Sequence, residues 1–488
     1  MLTDLTQQTI DLLAKIDGGG LAKTTLSQAT GLNAFDLRGP ALLLYPVLTP
    51  LRNKLPRELS TAGDLATRWK AVTGVNVTNI DMGVSNGKRG GEIQINEQDY
   101  LAAYAGIGLE SSIDWEAIWS GGNEFDNKAT VTQSLLRSVM IGEEALLLGG
   151  NASVPFGTCP TPVATLLTNQ GSLTAQATVV YCVALTARGF ANATVAGGVP
   201  GSITRTNIDG TTSTFNGGSS KISAASNSVT TATTNLGVSA TVTAVPGAVA
   251  YAWYLGPNAA GAKLHSITTV NAQTFLTDPV GTQAANDAAV SADHSANGLV
   301  FDGFYSQAAK TGSGAYIKSL NNATLTSDGA NGVVEIDAAL QSFWDNRRLS
   351  PDEIWVNSQE ALNINAKVVS AGGVPLFRFT LNAANGNPEP MVAGGTSTAK
   401  YWNKFMNKFV DIIIHPNAVA GTILFKTNEI PYPLSGVGNV NFVRCRRDYY
   451  QIEWPIVSRQ YVYGVYSDQV LVCRAPFSLG LIQNIKNG

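Results

Sequence analysis

The stretch "NKATVTQSLLRSVMIGEEALLLGG", residues 127–150, decides which fold the rest of the chain can adopt. Apolar residues recur along it at helical spacing, at Val131, Leu135, Val139 and Leu146. The stretch therefore predicts one helix of about 23 residues, which is roughly 34 Å long at ~1.5 Å per residue. Helices in globular domains average about 11–12 residues, so this one predicts a long structural rod.

The residues at the end of this rod separate two hypotheses about it. A phosphate-binding turn needs glycines before a helix, whereas Gly149 and Gly150 follow one, so we expect a C-cap with a left-handed glycine. Gly142 interrupts the apolar stripe and predicts close packing. Glu143 and Glu144 point about 100° apart around the helix. They cannot share a substrate, and we expect them on a solvated or intersubunit face.

Composition excludes several functional classes. The 488 residues carry 32 basic and 35 acidic side chains, a net charge of −3, which does not favour a free-standing nucleic-acid-binding protein. Arg444, Arg446 and Arg447 form a local cluster that we expect to pair with carboxylates. No apolar run is long enough for a transmembrane helix, and the first residues do not resemble a secretory signal, so we expect the chain to fold in the cytoplasm. The four cysteines contain no CxxC pair, so we expect free thiols and no metal or cofactor: Cys159, Cys182, Cys445 and Cys473.

The middle of the chain, residues 155–298, differs sharply from its flanks. It holds only eight of the 67 charged residues and consists of short alternating strands separated by Gly, Pro and Asn turns. This pattern predicts an inserted all-β sandwich, which we interpret as immunoglobulin-like. The alternative of a flexible linker is weaker because Tyr181, Trp253, Tyr254 and Phe275 supply a core. We expect the flanking body to fold without the insertion.

Two segments before the rod need an outside surface. Residues 38–59 contain four prolines, which argue against both a helix and an inner strand, yet the residues between them are apolar. We expect an extended arm that lies on another surface, such as a neighbouring subunit. Residues 71–98 predict a β-hairpin with a basic, glycine-rich tip "NGKRGG". A lone hairpin is marginally stable in water, so it too predicts a partner surface.

After the insertion, the sequence predicts a helix, a strand and a second helix. Apolar residues in "EIDAALQSFWDNRR" follow helical spacing, a strand is expected at 353–357, and Ser358 opens the next helix. No competent catalytic set accompanies these elements. "GVSNG" at 83–87 matches G-x-S-x-G, but Ser85 falls at a hairpin tip where the nucleophile elbow needs a strand and a helix. His415 precedes a proline at a strand end, where we expect a structural histidine.

Taken in order, these elements resemble the major capsid proteins of tailed bacteriophages, which have the Hong Kong 97-like fold. The Pro-rich segment 38–59 resembles the family's N-arm, and the hairpin 71–98 resembles its extended E-loop. "LLRSVMIGEEALLLGGNAS" is similar to the end of the spine helix. "VVEIDAALQSFWDNRRLSPDEIWVNSQEALNI" resembles the peripheral-domain helix with its following strand, and "VDIIIHPNAVAGTILF" and the closing strands resemble the rest of the peripheral and axial regions.

The resemblance implies an α+β capsid fold interrupted by the sandwich. It also implies a non-enzymatic subunit that self-assembles into hexamers and pentamers of an icosahedral virion shell. Such a shell encloses double-stranded DNA without sequence-specific binding. Scaffolding, portal and cement proteins are possible partners, and any scaffold is expected to be a separate protein. The expected regions are an N-terminal helix and arm (1–60), an E-loop region (61–125), a spine helix (126–154), the sandwich (155–298) and the peripheral and axial domains (299–488).

Specific residues follow from this resemblance. Some family members join a hairpin lysine to an asparagine with a glutamate as catalyst, and Lys88, Asn357 and Glu360 are the positions to consider here. The alternative is that Lys88 and Arg89 pair with acidic residues of an adjacent subunit. The expected intersubunit contacts are Leu42, Leu44, Tyr45, Leu48, Lys88, Arg89, Glu143 and Glu144. A different function also remains open: a surface-binding or adhesin-type protein that uses the sandwich as its binding module.

Overall fold

A computed structural model describes residues 48–60, 65–75, 83–92, 95–121, 127–232, 236–330, 332–370, 400–432 and 435–487. These residues belong to two compact units. In the smaller unit, the Asn127 side-chain amide donates to the carbonyl of Ala117 at 2.7 Å. The larger unit comprises residues 47–115 and 128–488, and it contains the sheets, the insertion and the buried side chains described below.

The described chain is a mixed α+β protein, so the predicted class is confirmed. Its helices are α1 (Pro50–Lys54), α2 (Trp115–Gly121), α3 (Asn127–Gly149), α4 (Ala187–Asn192), α5 (Phe304–Ala309), α6 (Val334–Arg347) and α7 (Ser358–Ser370). The strands before and within the insertion are β1 (Arg57–Leu59), β2 (Ala66–Val75), β3 (Ile95–Ala103), β4 (Ala105–Asp114), β5 (Val163–Leu167), β6 (Ala177–Leu185), β7 (Ser202–Thr206), β8 (Thr212–Asn216), β9 (Val229–Thr230), β10 (Gly237–Thr241), β11 (Ala250–Gly256), β12 (Lys263–Thr268) and β13 (Ala272–Phe275). The strands after it are β14 (Tyr316–Ser319), β15 (Glu353–Val356), β16 (Lys400–Asn403), β17 (Lys408–Ile414), β18 (Ile423–Lys426), β19 (Asn441–Glu453), β20 (Gln460–Cys473) and β21 (Gly480–Gln483).

The long helix lies on a four-stranded sheet with the order β1-β19-β20-β4. Leu135 and Val139 of α3 form a small core with Val465 of β20. The predicted rod of 23 residues is confirmed to the residue. The hairpin, the rod, the β-rich insertion and the helix–strand–helix unit follow one another in the order that the Hong Kong 97-like resemblance predicts.

A six-stranded mixed sheet, β14-β21-β18-β15-β17-β16, forms the second half of the body. One face is covered by α6, whose Ile336, Leu340 and Phe343 share a core with Ile354 and Phe425 of the sheet. The other face contributes residues to the central core that also contains the end of α3. The predicted α6, β15 and α7 are confirmed.

The insertion consists of two sheets, β13-β10-β5 and β12-β11-β6-β9, with a separate β7–β8 hairpin. Their facing side chains form one core around Cys182, Tyr251, Trp253 and Phe275. This arrangement agrees with the β-rich extra domain that the composition predicted. The immunoglobulin-like assignment and the boundaries at 155 and 298 stay predictions.

The insertion shares its second face with the body, which argues against our expectation that the body folds without it. The outer side of β6 and β11 contributes Leu185 and Tyr254 to the central core, where Leu147 and Phe304 of the body also lie. Gln483 of β21 binds the insertion with both ends of its amide, because the backbone of residues 245 and 247 supplies an acceptor and a donor. Removal of the insertion would therefore uncover apolar surface on the body.

Gly149 and Gly150 are required because neighbouring atoms leave no room for a side chain, and not because the backbone is left-handed there. Neither Gly149 nor Gly150 has a positive φ, so the predicted left-handed cap is wrong. Instead, a Cβ on Gly149 would lie 2.5 Å from Cβ of Ala187, and one on Gly150 would lie 2.4 Å from the carbonyl oxygen of Phe301. Gly142, which we expected to allow close packing, has no atom within 4 Å of its would-be Cβ and faces a groove.

The described part of the arm corrects a further expectation. Pro50 occupies the first turn of α1, a position where its missing N–H costs nothing, so the prolines do not prevent a short helix. The following strand β1 pairs in parallel with β19 at the edge of the sheet. Leu51 and Leu55 are buried in the central core of the same chain, so residues 48–60 find their partner surface intramolecularly.

Candidate functional site

Glu144 of α3 caps the N-terminus of α1. One carboxylate oxygen accepts the backbone N–H of Leu51 at 2.8 Å, and the other accepts the N–H of Arg52 at 2.7 Å. Nε2 of His415 lies 2.6 Å from the first oxygen, while Nδ1 accepts the N–H of Asn417. This pattern places the imidazole proton on Nε2, so His415 donates to Glu144. Helix N-termini favour negative charge, which explains why a carboxylate is stable at this buried place.

Glu143, one residue earlier, binds two cations from the arm. Nε of Arg52 lies 2.8 Å from one of its oxygens, and Nη1 of Arg57 lies 2.6 Å from the other. The Tyr449 hydroxyl also donates to this carboxylate. Arg57 reaches further, to Asp448 at 2.7 Å. All oxygens of Glu143 and Glu144 therefore have partners within the chain.

The ionisation of this cluster follows from burial and charge. Burial alone would lower the pKa of Arg57, but its contacts with Asp448 and Glu143 outweigh that effect and raise it. Arg52 is affected in the same way, since burial opposes and Tyr449 and Glu143 raise its pKa. Burial, together with the negative charge of Glu143, raises the pKa of the Tyr449 phenol. The arginines stay charged and the phenol stays protonated at neutral pH.

A second buried pair lies beside this cluster. Nζ of Lys426 is 3.1 Å from Glu353, which also accepts from Lys54 of the arm at 3.2 Å. Burial alone would raise the pKa of Glu353, but Lys426 and Asn428 lower it. Lys54 lies over the ring of Trp355 at 5.5 Å. The arm is thus held to both sheets and to the rod by ion pairs.

These contacts correct the prediction for the rod's two glutamates. Glu143 and Glu144 were expected on a solvated or intersubunit face, yet both are fully buried within one chain. The burial of Glu143 could have been predicted from the apolar stripe of the helix, because Glu143 follows Val139 by four residues and so lies on the buried face. A buried carboxylate requires a cation, and the arm supplies Arg52 and Arg57, which sequence reasoning did not single out.

The other predicted contact residues divide into two groups. Leu42, Leu44 and Tyr45 lie outside the described residues. Leu48 is exposed beside α1, and Lys88 and Arg89 are exposed at the hairpin tip. Their contacts with other subunits stay predictions.

The cross-link candidates are likewise separate within one chain. Asn357 precedes α7, where its side-chain Oδ1 accepts the N–H of Gln359 and its side-chain N–H₂ donates to the carbonyl of Ala418. Glu360 is buried and accepts the N–H of Gly421 at 2.9 Å. Burial raises its pKa even though this hydrogen bond opposes the shift. Lys88 stands at the exposed tip, and a bond between it and Asn357 stays a prediction.

The remaining sequence predictions concern chemistry that the described residues can be checked for. Within the ranges given above, no group of three His, Cys, Asp or Glu side chains could hold a metal ion. No helix in the described part of the chain is long and apolar enough to cross a membrane. His415 is the structural histidine that its position predicted, and the four cysteines are free and buried. Arg444 and Arg446 pair with Glu58 and Asp468 as expected, whereas Arg447 stacks on Tyr450.

The β2–β3 hairpin exposes a row of apolar side chains. β2 and β3 pair antiparallel, and cross-strand pairs place Val72 opposite Glu97 and Val75 opposite Ile95. Residues alternate between faces along β3, and a register shift after Val72 returns Val75 to the same face, so Val72, Val75, Ile95 and Leu101 all project from one face. Each is 53–61% exposed. The other face carries Trp69, which packs against the central core.

Comparisons with known proteins give a fold-level likeness at low similarity. No protein-family model matches the chain, and no curated protein matches it. Among solved structures, the capsid of a native GTA particle is 9% identical with a TM-score of 0.39, and the match covers 97% of this chain and 98% of that one. The capsid of Myoviridae phage XM1 is 8% identical with a TM-score of 0.42, covering 95% and 100%. The cyanophage A-1(L) capsid is 9% identical with a TM-score of 0.43, covering 93% and 98%.

Proposed function

We propose that this chain is a structural subunit that assembles with copies of itself into a closed shell, as the major capsid protein of a tailed bacteriophage. In this proposal the shell is built from hexamers and pentamers and encloses double-stranded DNA. Scaffolding, portal or cement proteins are possible partners. The chain acts as a building element and not as an enzyme.

The observation that carries the proposal is the uncovered hairpin face. Burying an apolar side chain contributes about 1.5–3 kcal/mol, and four such side chains stand on one two-stranded ribbon. A monomeric protein gains nothing from a projecting ribbon of this composition, and exposed apolar patches mark interaction sites. A subunit of an assembly uses it as the contact that a neighbour covers.

The buried carboxylate cluster also supports the proposal, because it makes the body of the subunit rigid. Glu143 and Glu144 fix the arm, the rod and both sheets of the body in one arrangement. A rigid body with one projecting contact element suits repeated assembly, because every copy then presents the same geometry to its neighbours.

Assembly of the purified full chain tests the proposal. We expect the wild-type chain to form hexamers or larger particles by sedimentation velocity. The double variant Val72→Asp, Ile95→Asp should stay monomeric, because it places two charges on the face that a neighbour must desolvate. Its thermal unfolding should match, within a few degrees, that of the wild-type chain diluted below its assembly concentration, because assembly itself stabilises the folded state and neither side chain is buried in the single chain.

A matched control uses the same substitution elsewhere. Val334→Asp changes a half-exposed valine at the start of α6, outside the hairpin, and should assemble normally. A monomeric wild type over a wide concentration range would refute the proposal. So would a double variant that assembles as well as the wild type.

The adhesin-type alternative gains no support from the position of the insertion. A binding module on a carrier is normally a separate folding unit joined by few contacts. This insertion instead shares the central core with the body through Leu185 and Tyr254.

A further inference from the structure

A groove of about 520 Å³ lies between α3, β4 and the β7–β8 hairpin of the insertion. Its walls are mainly apolar and include Ile107, Leu109, Val139, Leu146, Ile203 and Phe215. Gly142 opens the groove on the side of α3, because no atom lies within 4 Å of its would-be Cβ. The groove therefore offers a mainly apolar surface with room for inserted side chains.

One cation at this groove lacks a partner. Arg205 lines it and lies over the ring of Phe215 while it donates to Asn207. Arg188 also lines the groove, and across the described ranges it makes no hydrogen bond, ion pair or ring contact. Arg188 is exposed at the groove, so its guanidinium is free to pair with a carboxylate on a separate molecule.

The uncovered hairpin face carries the complementary set. Its four exposed apolar side chains surround Glu97, which lies opposite Val72 in the β2–β3 register. Asp99 on the same face is 3.7 Å from Lys70, whereas Glu97 has no ion pair among the residues that the structure describes. The face is therefore apolar with one unmatched negative charge, and the groove is apolar with two arginines, Arg188 and Arg205, that pair with no carboxylate among the described residues.

We propose that the apolar face of the β2–β3 hairpin of one copy docks in the α3–β4–β7–β8 groove of a second copy, with Glu97 paired to Arg188. This inference rests on the proposed self-assembly and names the surface that receives the hairpin. Both surfaces are open in a single chain, so the pairing joins different copies. The contact is head-to-tail, because hairpin and groove are different surfaces. Contacts of this type generate rings when the rotation closes, as hexamers and pentamers require.

In this arrangement the insertion forms part of the contact between subunits. The β7–β8 hairpin supplies one wall of the groove through Ile203 and Phe215, and Arg188 stands on α4 of the same insertion. The insertion is then a part of the subunit contact and not an appendage of the shell.

Charge reversal tests the pairing in the full-length chain. Glu97→Arg and Arg188→Glu should each raise the concentration for half-assembly at least tenfold, because like charges then meet in an apolar contact. The double variant Glu97→Arg, Arg188→Glu restores opposite charges and should assemble within about threefold of the wild type. Sedimentation velocity over a concentration series gives these values, and circular dichroism confirms that each variant is folded.

A mismatched swap provides the control. Glu97→Arg with Lys318→Glu keeps the same net charge but reverses an exposed lysine on β14, outside the groove, and should not restore assembly. If Arg188→Glu assembles normally, the groove holds something other than this hairpin, and the inference fails. If the wild type assembles but the matched swap does not restore assembly, the inference fails while the proposed function stands. A wild type that never assembles refutes both.

Discussion

The substitution Glu143→Gln tests whether the buried cluster holds the arm to the rod. It preserves size but removes the charge that binds Arg52 and Arg57, and it places an amide N–H₂ beside two guanidinium groups. Removing one partner of a buried ion pair costs about 3–5 kcal/mol. The two arginine side chains keep 14% and 19% of their surface exposed, so water can partly solvate them. We therefore expect a loss near the lower limit, about 3 kcal/mol in the free energy of unfolding.

Urea unfolding followed by tryptophan fluorescence measures this loss. The assembly-blocked background Val72→Asp, Ile95→Asp keeps the protein monomeric. Both sites are exposed on the hairpin and share no hydrogen bond or ion pair with the cluster among the described residues, so additive effects are expected. Asp468→Asn is the matched control, because it neutralises a carboxylate that pairs with the more exposed Arg446 at 2.9 Å. Exposed pairs contribute about 0–1 kcal/mol. A Glu143→Gln loss no larger than that of Asp468→Asn would refute the reasoning.

Three further outcomes follow from the same structure. Gly149→Ala should lower the free energy of unfolding by about 1–3 kcal/mol, because the new Cβ would collide with Cβ of Ala187. Gly142→Ala in the same helix has free space and should be neutral or stabilising by up to about 1 kcal/mol. Equal effects of the two variants in urea unfolding would contradict the close contact between Gly149 and Ala187. Glu360→Gln should raise the melting temperature at pH 8 more than at pH 4. Burial raises the pKa of Glu360, so its contribution to stability is complete below its unfolded pKa and is lost as pH rises through its folded pKa. An equal shift at both pH values would count against a buried carboxyl with a raised pKa. Replacing residues 155–298 by a short linker should give an unstable or insoluble body, and a soluble product with a cooperative melt would show that the shared core is dispensable.

The parts of the fold that depend on local periodicity could be predicted from the sequence. The rod was found to the residue because 23 positions repeat one apolar stripe, and α6 was found for the same reason. Charge depletion located the β-rich insertion, since a sandwich built from Thr, Ser, Ala and Val has little use for charged side chains.

The parts that depend on tertiary partners could not be predicted in this way. The segment containing Ser220, Ser223 and Ser226 pairs with β6 by an irregular ladder, in which each serine N–H donates to a β6 carbonyl and each hydroxyl accepts a β6 N–H. No local propensity predicts that pairing. The cluster around Glu143 was missed for a related reason, because its cations come from a segment about 90 residues earlier.

Electron cryomicroscopy of the purified, assembled protein tests the central claim most directly. The account predicts closed particles in which β2 and β3 of every copy are covered by a neighbouring copy. Separate single chains, or particles whose hairpin faces remain open to solvent, would contradict it.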